Sequence, residues 1–392
     1  QRDLANMGIA GEEKTRLLLY LIFTSRILPK PISAVVKGES SSGKSYIVKC
    51  VLGLFPPEEV KNFTRISPQS LYYMPDRALL HKILVIYERQ GSAGGDYSIR
   101  SLISEDKLQL AVAMADPKTG EYATRERVVH GPICYVETTT ELRTHAENET
   151  RLFSLFVDES EAQTKAIFAM QDRHYNGRGG EGDGERDAIR RLHHNIQRSL
   201  ERLPVVIPFV HLVTFPAKYP RLRRDRGRFL SLIEASTTLH QFRRARVWIE
   251  GRPFIVSDVD DYAVALDLAR EPLSASLSAV YRKSFDLHAA LREIAAEKKR
   301  PGATNAEIHA RTGWPLSTIR RHMQPLIEEE FVEVRSAGQG RRSIYFLTER
   351  APDESDILRV LPTAEELRAR MKETETHGGN GRAHGVAKIA RG

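Results

Sequence analysis

Over the first 160 positions, solid apolar runs alternate with stretches whose apolar residues recur every three or four positions. That alternation is the pattern of buried parallel strands joined by helices. Leu17, Leu18, Leu21, Ile22 and Ile27 hold helical spacing within 11–28, and Pro29 and Pro31 end that helix. Short runs at 32–37, 62–66, 81–88, 132–136 and 155–158 predict strands. Ile47, Val51, Leu52 and Leu54 predict a helix over 44–54, stopped by Pro56 and Pro57, and 96–105 reads as a shorter one. Residues 107–115 instead alternate, with Leu108, Leu110, Val112 and Met114 on one side. Pro117-Lys118-Thr119-Gly120 is a turn signal and 121–130 returns as a second strand. The result is an antiparallel hairpin with Lys118 at its tip and Arg125 and Arg127 on its return arm.

Beyond 160 the pattern turns helical and then changes again. Residues 160–174 predict a helix, 176–185 (NGRGGEGDGE) a glycine-rich connection, 186–203 an arginine-dense helix and 229–246 a long amphipathic one after the basic stretch 219–228. In the last third, a helix over 284–297 is broken at 298–302. Thr304 caps a short helix over 305–311, Gly313-Trp314-Pro315 turns, and 316–330 forms a second helix carrying Thr318, Arg320, Arg321 and His322. Strands at 331–335 and 342–347 flank a small-residue turn. Helix, turn, helix, hairpin is the winged helix-turn-helix order, whose second helix is placed to enter a major groove. Arg320 and Arg321 are then candidates to touch bases or phosphates, and Arg341 and Arg342 on the wing to lie along the backbone, although many winged helices serve protein contacts instead. After 349 the chain is polar, with one helix expected over 364–373 and a Gly/His/Arg-rich tail of disordered composition.

A chain of 392 residues has room for two or three domains. No apolar run is long enough to span a bilayer, and no signal-peptide pattern follows Gln1, although a start other than Met fits a piece of a longer polypeptide. Two cysteines, Cys50 and Cys134, sit in apolar segments, which suits a reducing cytoplasm and leaves no cysteine-based zinc site. A net charge of +8 leans toward a polyanionic partner.

The chemistry centres on Gly38-Glu39-Ser40-Ser41-Ser42-Gly43-Lys44-Ser45, which fits G-x-x-x-x-G-K-[ST] between a predicted strand and a predicted helix. Backbone N–H groups of such a loop and the helix N-terminus hold phosphate oxygens. Lys44 would reach the β- and γ-phosphates of ATP, and the Ser45 hydroxyl would ligate Mg²⁺. The strand over 81–88 ends in Glu88, placed as catalytic base and metal-shell acid, with Tyr87 where a preceding acid normally stands. Thr138-Thr139-Thr140 end another strand, and Thr140 is positioned to contact γ-phosphate or water, although threonines also simply favour strands. Arg151 precedes a late strand, the place of an arginine finger, beside Glu147 and Glu149 that would equally pair with it.

The order P-loop, acid-ended strand, helix, hairpin, polar-ended strand and Arg-Leu-Phe strand resembles the AAA+ ATPases over about residues 10–250. Within them it is similar to the branch with a pre-sensor-1 β-hairpin that includes the minichromosome maintenance helicases and helicase- or primase-like ATPases of bacterial mobile elements. The resemblance implies a three-layer α/β core over 1–175 and a helical lid over 186–275, ahead of a winged helix over 283–350 and a polar tail over 351–392. It also implies an ATP-dependent DNA motor in a homo-oligomeric, hexameric ring, with an upstream domain or partner primase. Arg151 would act across the subunit boundary, Lys118 and Arg125 would grip DNA, and Arg226 or Arg228 would serve as the lid's sensor arginine. Tyr87 and the threonines in place of a sensor asparagine depart from that pattern and equally suit an ATP-switched initiator, loader or regulator that does not unwind DNA.

Overall fold

The computed structural model describes residues 2–67, 69–87, 93–115, 122–140, 151–173, 175–176, 183–215, 220–300, 302–328, 330–336, 343–349 and 361–377. Two compact units divide the chain: residues 1–214, 223–272 and 362–392 in one, 215–222 and 273–361 in the other.

The first unit is built on a parallel sheet of β1 (Ala34–Lys37), β2 (Val60–Phe63), β3 (Ile83–Ile86), β6 (Cys134–Thr139) and β7 (Phe153–Phe156), in the order β2-β3-β6-β1-β7. β1 and β3 are buried at every residue, as strands covered on both faces must be. Helices α1 (Arg2–Asn6), α2 (Glu13–Thr24) and α3 (Lys44–Leu52) precede and follow β1. Helix α4 (Ala93–Glu105) leads into the hairpin of β4 (Lys107–Ala115) and β5 (Tyr122–His130). On one face of the sheet, Val35, Leu84, Ile86 and Tyr135 share a core with Ile99 and Leu102 of α4. On the other face Cys134 Sγ donates to the Ile22 carbonyl of α2 at 3.2 Å. Helix, sheet and helix thus form three layers. The hairpin is paired from Lys107↔His130 to Ala115↔Tyr122, with Leu108 and Val129 anchoring its base in the α4-side core. Lys118 and the rest of its tip lie outside the described residues.

Helices α5 (Glu161–Arg173) and α6 (Asp183–Ser199) follow β7. α6 lies against α2 through polar contacts: Gln197 Nε2 donates to Tyr20 Oη and Thr24 Oγ1, both at 3.1 Å, and Arg26 Nη1 donates to Gln197 Oε1 at 2.7 Å. Burial lowers the pKa of the enclosed Arg26, opposed by the attraction of Glu59.

The region expected as a helical lid also contains a small sheet, β8-β10-β9, formed by Val205–Val206, Arg252–Val256 and Arg246–Ile249. Helix α7 (Pro220–Leu239) starts and ends earlier than the expected 229–246. The basic stretch is its first half, because arginine is a good helix former, and Ala245-Arg246-Val247-Trp248 turns to strand spacing. Helix α8 (Val259–Lys298) runs 40 residues, with the expected 284–297 as its last part and Pro272 inside it. Asp261, near its start, is fully buried and tied to Arg244 through two bonds of 2.7 and 2.8 Å, to Ser236 Oγ at 2.9 Å and to the Asp258 N–H at 3.1 Å. Tyr262 sits edge-on to Phe209 and Phe229 and donates to the Pro362 carbonyl. That bond draws in helix α11 (Ala364–His377), which buries Leu367 and pairs Arg368 with Asp260.

The second unit contains β11 (Gly302–Thr304), α9 (Asn305–Thr312), α10 (Leu316–Glu328), β12 (Val332–Ser336) and β13 (Ser343–Leu347). The strands pair antiparallel in the order β11-β13-β12. Thr304 and Glu307 form a reciprocal capping box, and Gly313 closes α9 in the left-handed region at φ 69°. Ile319, Met323 and Leu326 of α10 face a core with Ile308, Val332, Tyr345 and the last turns of α8. This is a winged helix-turn-helix.

Burial alone would raise the Asp261 pKa, but the hydrogen bonds from His240, Arg244, the Asp258 N–H and Ser236 outweigh it and hold the carboxyl below the ordinary aspartate range. Its contribution is therefore complete above the unfolded pKa of about 4 and is lost as pH falls below it. Asp261→Ala should cost ~3–5 kcal/mol by leaving Arg244 without its buried partner. Urea unfolding at pH 7 reads this, and the difference from wild type should shrink toward pH 3.

Candidate nucleotide site

The site grows from the carboxyl end of β1. Val157 N–H donates to the Lys37 carbonyl, continuing the ladder past β7, so Gly38 meets neighbours on several sides. A Cβ on Gly38 would lie 2.5 Å from Val157 Cγ2 and 2.8 Å from both Glu159 Oε1 and Ser42 Oγ, so only glycine fits there. The loop then turns through two left-handed residues, Ser41 at φ 66° and Gly43 at φ 89°. For a serine that conformation costs about 1 kcal/mol or more, a strain typical of ligand-clamping loops. Gly43 is the N-cap of α3 and has no side chain to satisfy the first helical amides.

Residues 39–41, 43–46 and 138–140 line a cavity of about 940 Å³ over that helix start. Parallel pairing explains the second half of the lining. Lys37 stands opposite Thr139, so Thr138, Thr139 and Thr140 emerge level with the beginning of the loop. Thr138 and Thr139 are buried within β6 and Thr140 is exposed. The buried Lys44 folds back onto its own loop: Nζ donates to the Gly38 carbonyl at 2.9 Å, to the Glu39 carbonyl and to Ser42 Oγ at 3.3 Å. Cationic Lys44, open helix amides and the hydroxyls of Ser45 and Thr140 suit a polyphosphate. Of the two residues expected to hold Mg²⁺, Ser45 lines this cavity and Glu88 lies outside the described residues.

Tyr87, directly after β3, is buried, and Lys49 of α3 stands over its ring with Nζ 5.1 Å from the centroid. Burial raises its pKa. The phenol is thus packed against the P-loop helix through Lys49. Glu88 lies outside the described residues.

Several residues around the cavity escaped the sequence reading. Tyr46 lines it and donates to the Gly8 carbonyl at 2.9 Å. Glu159 accepts from the Glu39 N–H, Gln163 Nε2 donates to the Ala10 carbonyl at 2.7 Å, and Glu12 accepts from the Asp158 N–H. These contacts clasp the residue 8–12 segment and the loop after β7 around the P-loop. Only Tyr46 carried a signal, as the neighbour of Ser45; the others are brought in by tertiary folding.

Arg151 and Arg228 do not line the cavity. Arg151 Nη1 donates to the Arg100 carbonyl at 3.2 Å and to Ser104 Oγ near the end of α4. Arg228 donates to the Leu152 carbonyl at 2.7 Å, pairs with Asp225 at 2.9 Å and stands over Phe153. Arg226 reaches the Val210 carbonyl at 3.4 Å.

In the second unit Arg320 and Arg321 are exposed on α10, on the side away from Ile319 and Met323. Arg341 and Arg342 lie outside the described residues. Arg125 stands opposite Val112 in the hairpin ladder.

The steric wall at Gly38 predicts that Gly38→Ala displaces the loop. Nucleotide affinity should fall at least ~10-fold by fluorescent-nucleotide titration, with the fold retained by circular dichroism.

Comparison with known families agrees with this geometry. Residues 6–187 match the model described as MTBMA_p00010 P-loop domain, which spans the sheet, the loop and the hairpin. Residues 292–336 match the IclR helix-turn-helix domain, from the end of α8 through β12. No curated protein matches the chain. The polypeptide therefore joins a P-loop NTPase core to a C-terminal winged helix-turn-helix.

Proposed function

We propose that this chain is a nucleotide-dependent DNA-acting ATPase of the AAA+ class, of the pre-sensor-1 hairpin branch, working as an oligomeric helicase or translocase on bacterial or mobile-element DNA. The observation that carries the reading is topological. β6 separates the P-loop strand β1 from β3, and an antiparallel hairpin interrupts the chain between α4 and β6. Glu88, next after Tyr87 in the sequence, takes the role of the base that activates the attacking water. The hairpin, anchored at Leu108 and Val129 beside the amino ends of β3 and β6, would be moved through α4 and β6 by changes at the nucleotide end of the sheet, and would carry them to Lys118.

In this reading ATP binds with Lys44 on its β- and γ-phosphates and Ser45 toward Mg²⁺, while Thr140 orients the attacking water. Mg²⁺ supplies charge neutralisation at the phosphates when bound. Arg151, close to the Leu152 carbonyl held by Arg228, acts toward a neighbouring subunit's γ-phosphate in a hexameric ring. That role requires it to leave Arg100 and Ser104. The winged helix holds duplex DNA through Arg320 and Arg321, with Arg341 and Arg342 on the backbone. A partner primase or an upstream domain would complete a replication assembly.

A second reading rests on Tyr87. A buried phenol in place of a carboxylate favours slow hydrolysis and a binding switch, in which ATP controls assembly on DNA without unwinding.

The test is ATP hydrolysis with and without single- and double-stranded DNA. The motor reading expects DNA to raise the rate, Lys44→Ala to lower it ~100-fold or more, and Arg151→Ala ~1000-fold. Lys118→Ala should keep basal hydrolysis and lose its stimulation. Hydrolysis indifferent to DNA in the wild type would sink the motor and leave the switch.

A further inference from the structure

The phosphate contacts of the nucleotide cavity leave one part of its lining unassigned. The first helical hydrogen bond of α3 runs from the Ile47 N–H to the Gly43 carbonyl at 3.0 Å. The amides of Lys44, Ser45 and Tyr46 come before it, where a helix offers them no acceptor of its own. In the reading above Lys44 and Ser45 serve the outer phosphates and Mg²⁺. The next amide along the helix, that of Tyr46, is left for the phosphate that carries the sugar. Ribose and base would then leave the loop beside the Tyr46 side chain.

That side chain is unlike the rest of the lining. Every other described residue around the cavity is glycine, serine, threonine, lysine or glutamate, and none of these offers an aromatic face to a base. The Tyr46 ring is 51 % exposed, yet its tip is held: the hydroxyl donates to the Gly8 carbonyl at 2.9 Å. Gly8 is left-handed at φ 86°, and a Cβ on it would lie 3.4 Å from Tyr46 Oη and 3.5 Å from Arg186 Nη2. The hydroxyl end is therefore enclosed between the residue 8–12 segment and Arg186 of α6, while the ring borders the cavity. Burial raises the phenol pKa, so the hydroxyl stays a neutral donor to Gly8. A ring tethered at its tip has already lost rotamer freedom, and stacking a ligand on it costs little more.

We propose that Tyr46 is the base-binding residue of this site, stacking on the base of a purine nucleotide whose phosphates occupy the loop. A purine presents a larger face to the ring than a pyrimidine does. The proposal rests on the nucleotide-binding reading of the loop and adds the group that separates a nucleotide from a bare polyphosphate.

The test compares ligands that share phosphates and differ in the nucleoside. Full-length protein with Mg²⁺ is titrated calorimetrically with ADP, CDP and inorganic pyrophosphate. The wild type should bind ADP more tightly than CDP. Tyr46→Ala should weaken ADP ~10-fold, narrow the gap between ADP and CDP, and change pyrophosphate affinity less than about 2-fold. Tyr46→Phe keeps the ring without the tether and should hold ADP within about 3-fold of wild type. Unchanged ADP affinity in Tyr46→Ala overturns the proposal. An equal loss of ADP and pyrophosphate in that variant makes Tyr46 a clasp on the loop and overturns it too, as does a loss in Tyr46→Phe as large as in Tyr46→Ala. A wild type that binds pyrophosphate but not ADP sinks the base site and leaves the phosphate loop standing. Binding of none of the three ligands removes both.

Discussion

The nucleotide cavity depends on main-chain pairing of β1 with a neighbour on each side. Ala34 stands opposite Val136 of β6 and Phe153 of β7, and the ladders run to Lys37 on both edges. A strand buried on both faces cannot leave its backbone groups unpaired without a cost of a few kcal/mol each. Its register is therefore fixed, and so is everything at its carboxyl end. β6 delivers Thr138–Thr140 beside the loop, and the continuation past β7 delivers Val157 and Glu159 against Gly38 and Glu39. The phosphate cradle is the consequence of three strand ends lying level.

Phosphate binding and hydrolysis therefore stand on different physical footings. Phosphate binding needs only Lys44, the amides of α3 and a loop that accepts left-handed residues, all of which are built from one contiguous stretch. Hydrolysis needs acids and cations from other segments, and these are where the chain is unusual. Tyr87 packs under Lys49, and Arg151 and Arg228 donate to the backbone carbonyls of Arg100 and Leu152.

The sequence was most legible where periodicity and local chemistry agreed. Solid apolar runs identified the buried strands, the P-loop declared itself through glycine spacing, and alternation at Leu108, Leu110, Val112 and Met114 marked the hairpin. The Thr304 cap and Gly313 marked α9 in the same way. Bounds drifted where the signal is shared between states: the basic residues at 221–228 favour helix as readily as loop, so α7 begins earlier than apolar spacing alone suggests. The short strands β9 and β10 give no periodic window of their own, and α8 hid its first half because Pro272 reads as a helix stop. The clasp of Glu12, Glu159 and Gln163 was illegible for a different reason, since nothing local links residues separated by well over a hundred positions. Glu137 was likewise invisible as a buried acid bound by the Tyr135 hydroxyl, because it looks like one more strand end.

If nucleotide at the P-loop controls DNA on the same chain, the two must be thermodynamically linked. Affinity for a labelled duplex, measured by anisotropy at fixed salt with no nucleotide, with ADP and with a non-hydrolysable ATP analogue, tests this directly. Linkage predicts a change of ~5-fold or more between nucleotide states, absent in Lys44→Ala. Identical DNA affinity in all three states, with nucleotide binding verified independently, would contradict it.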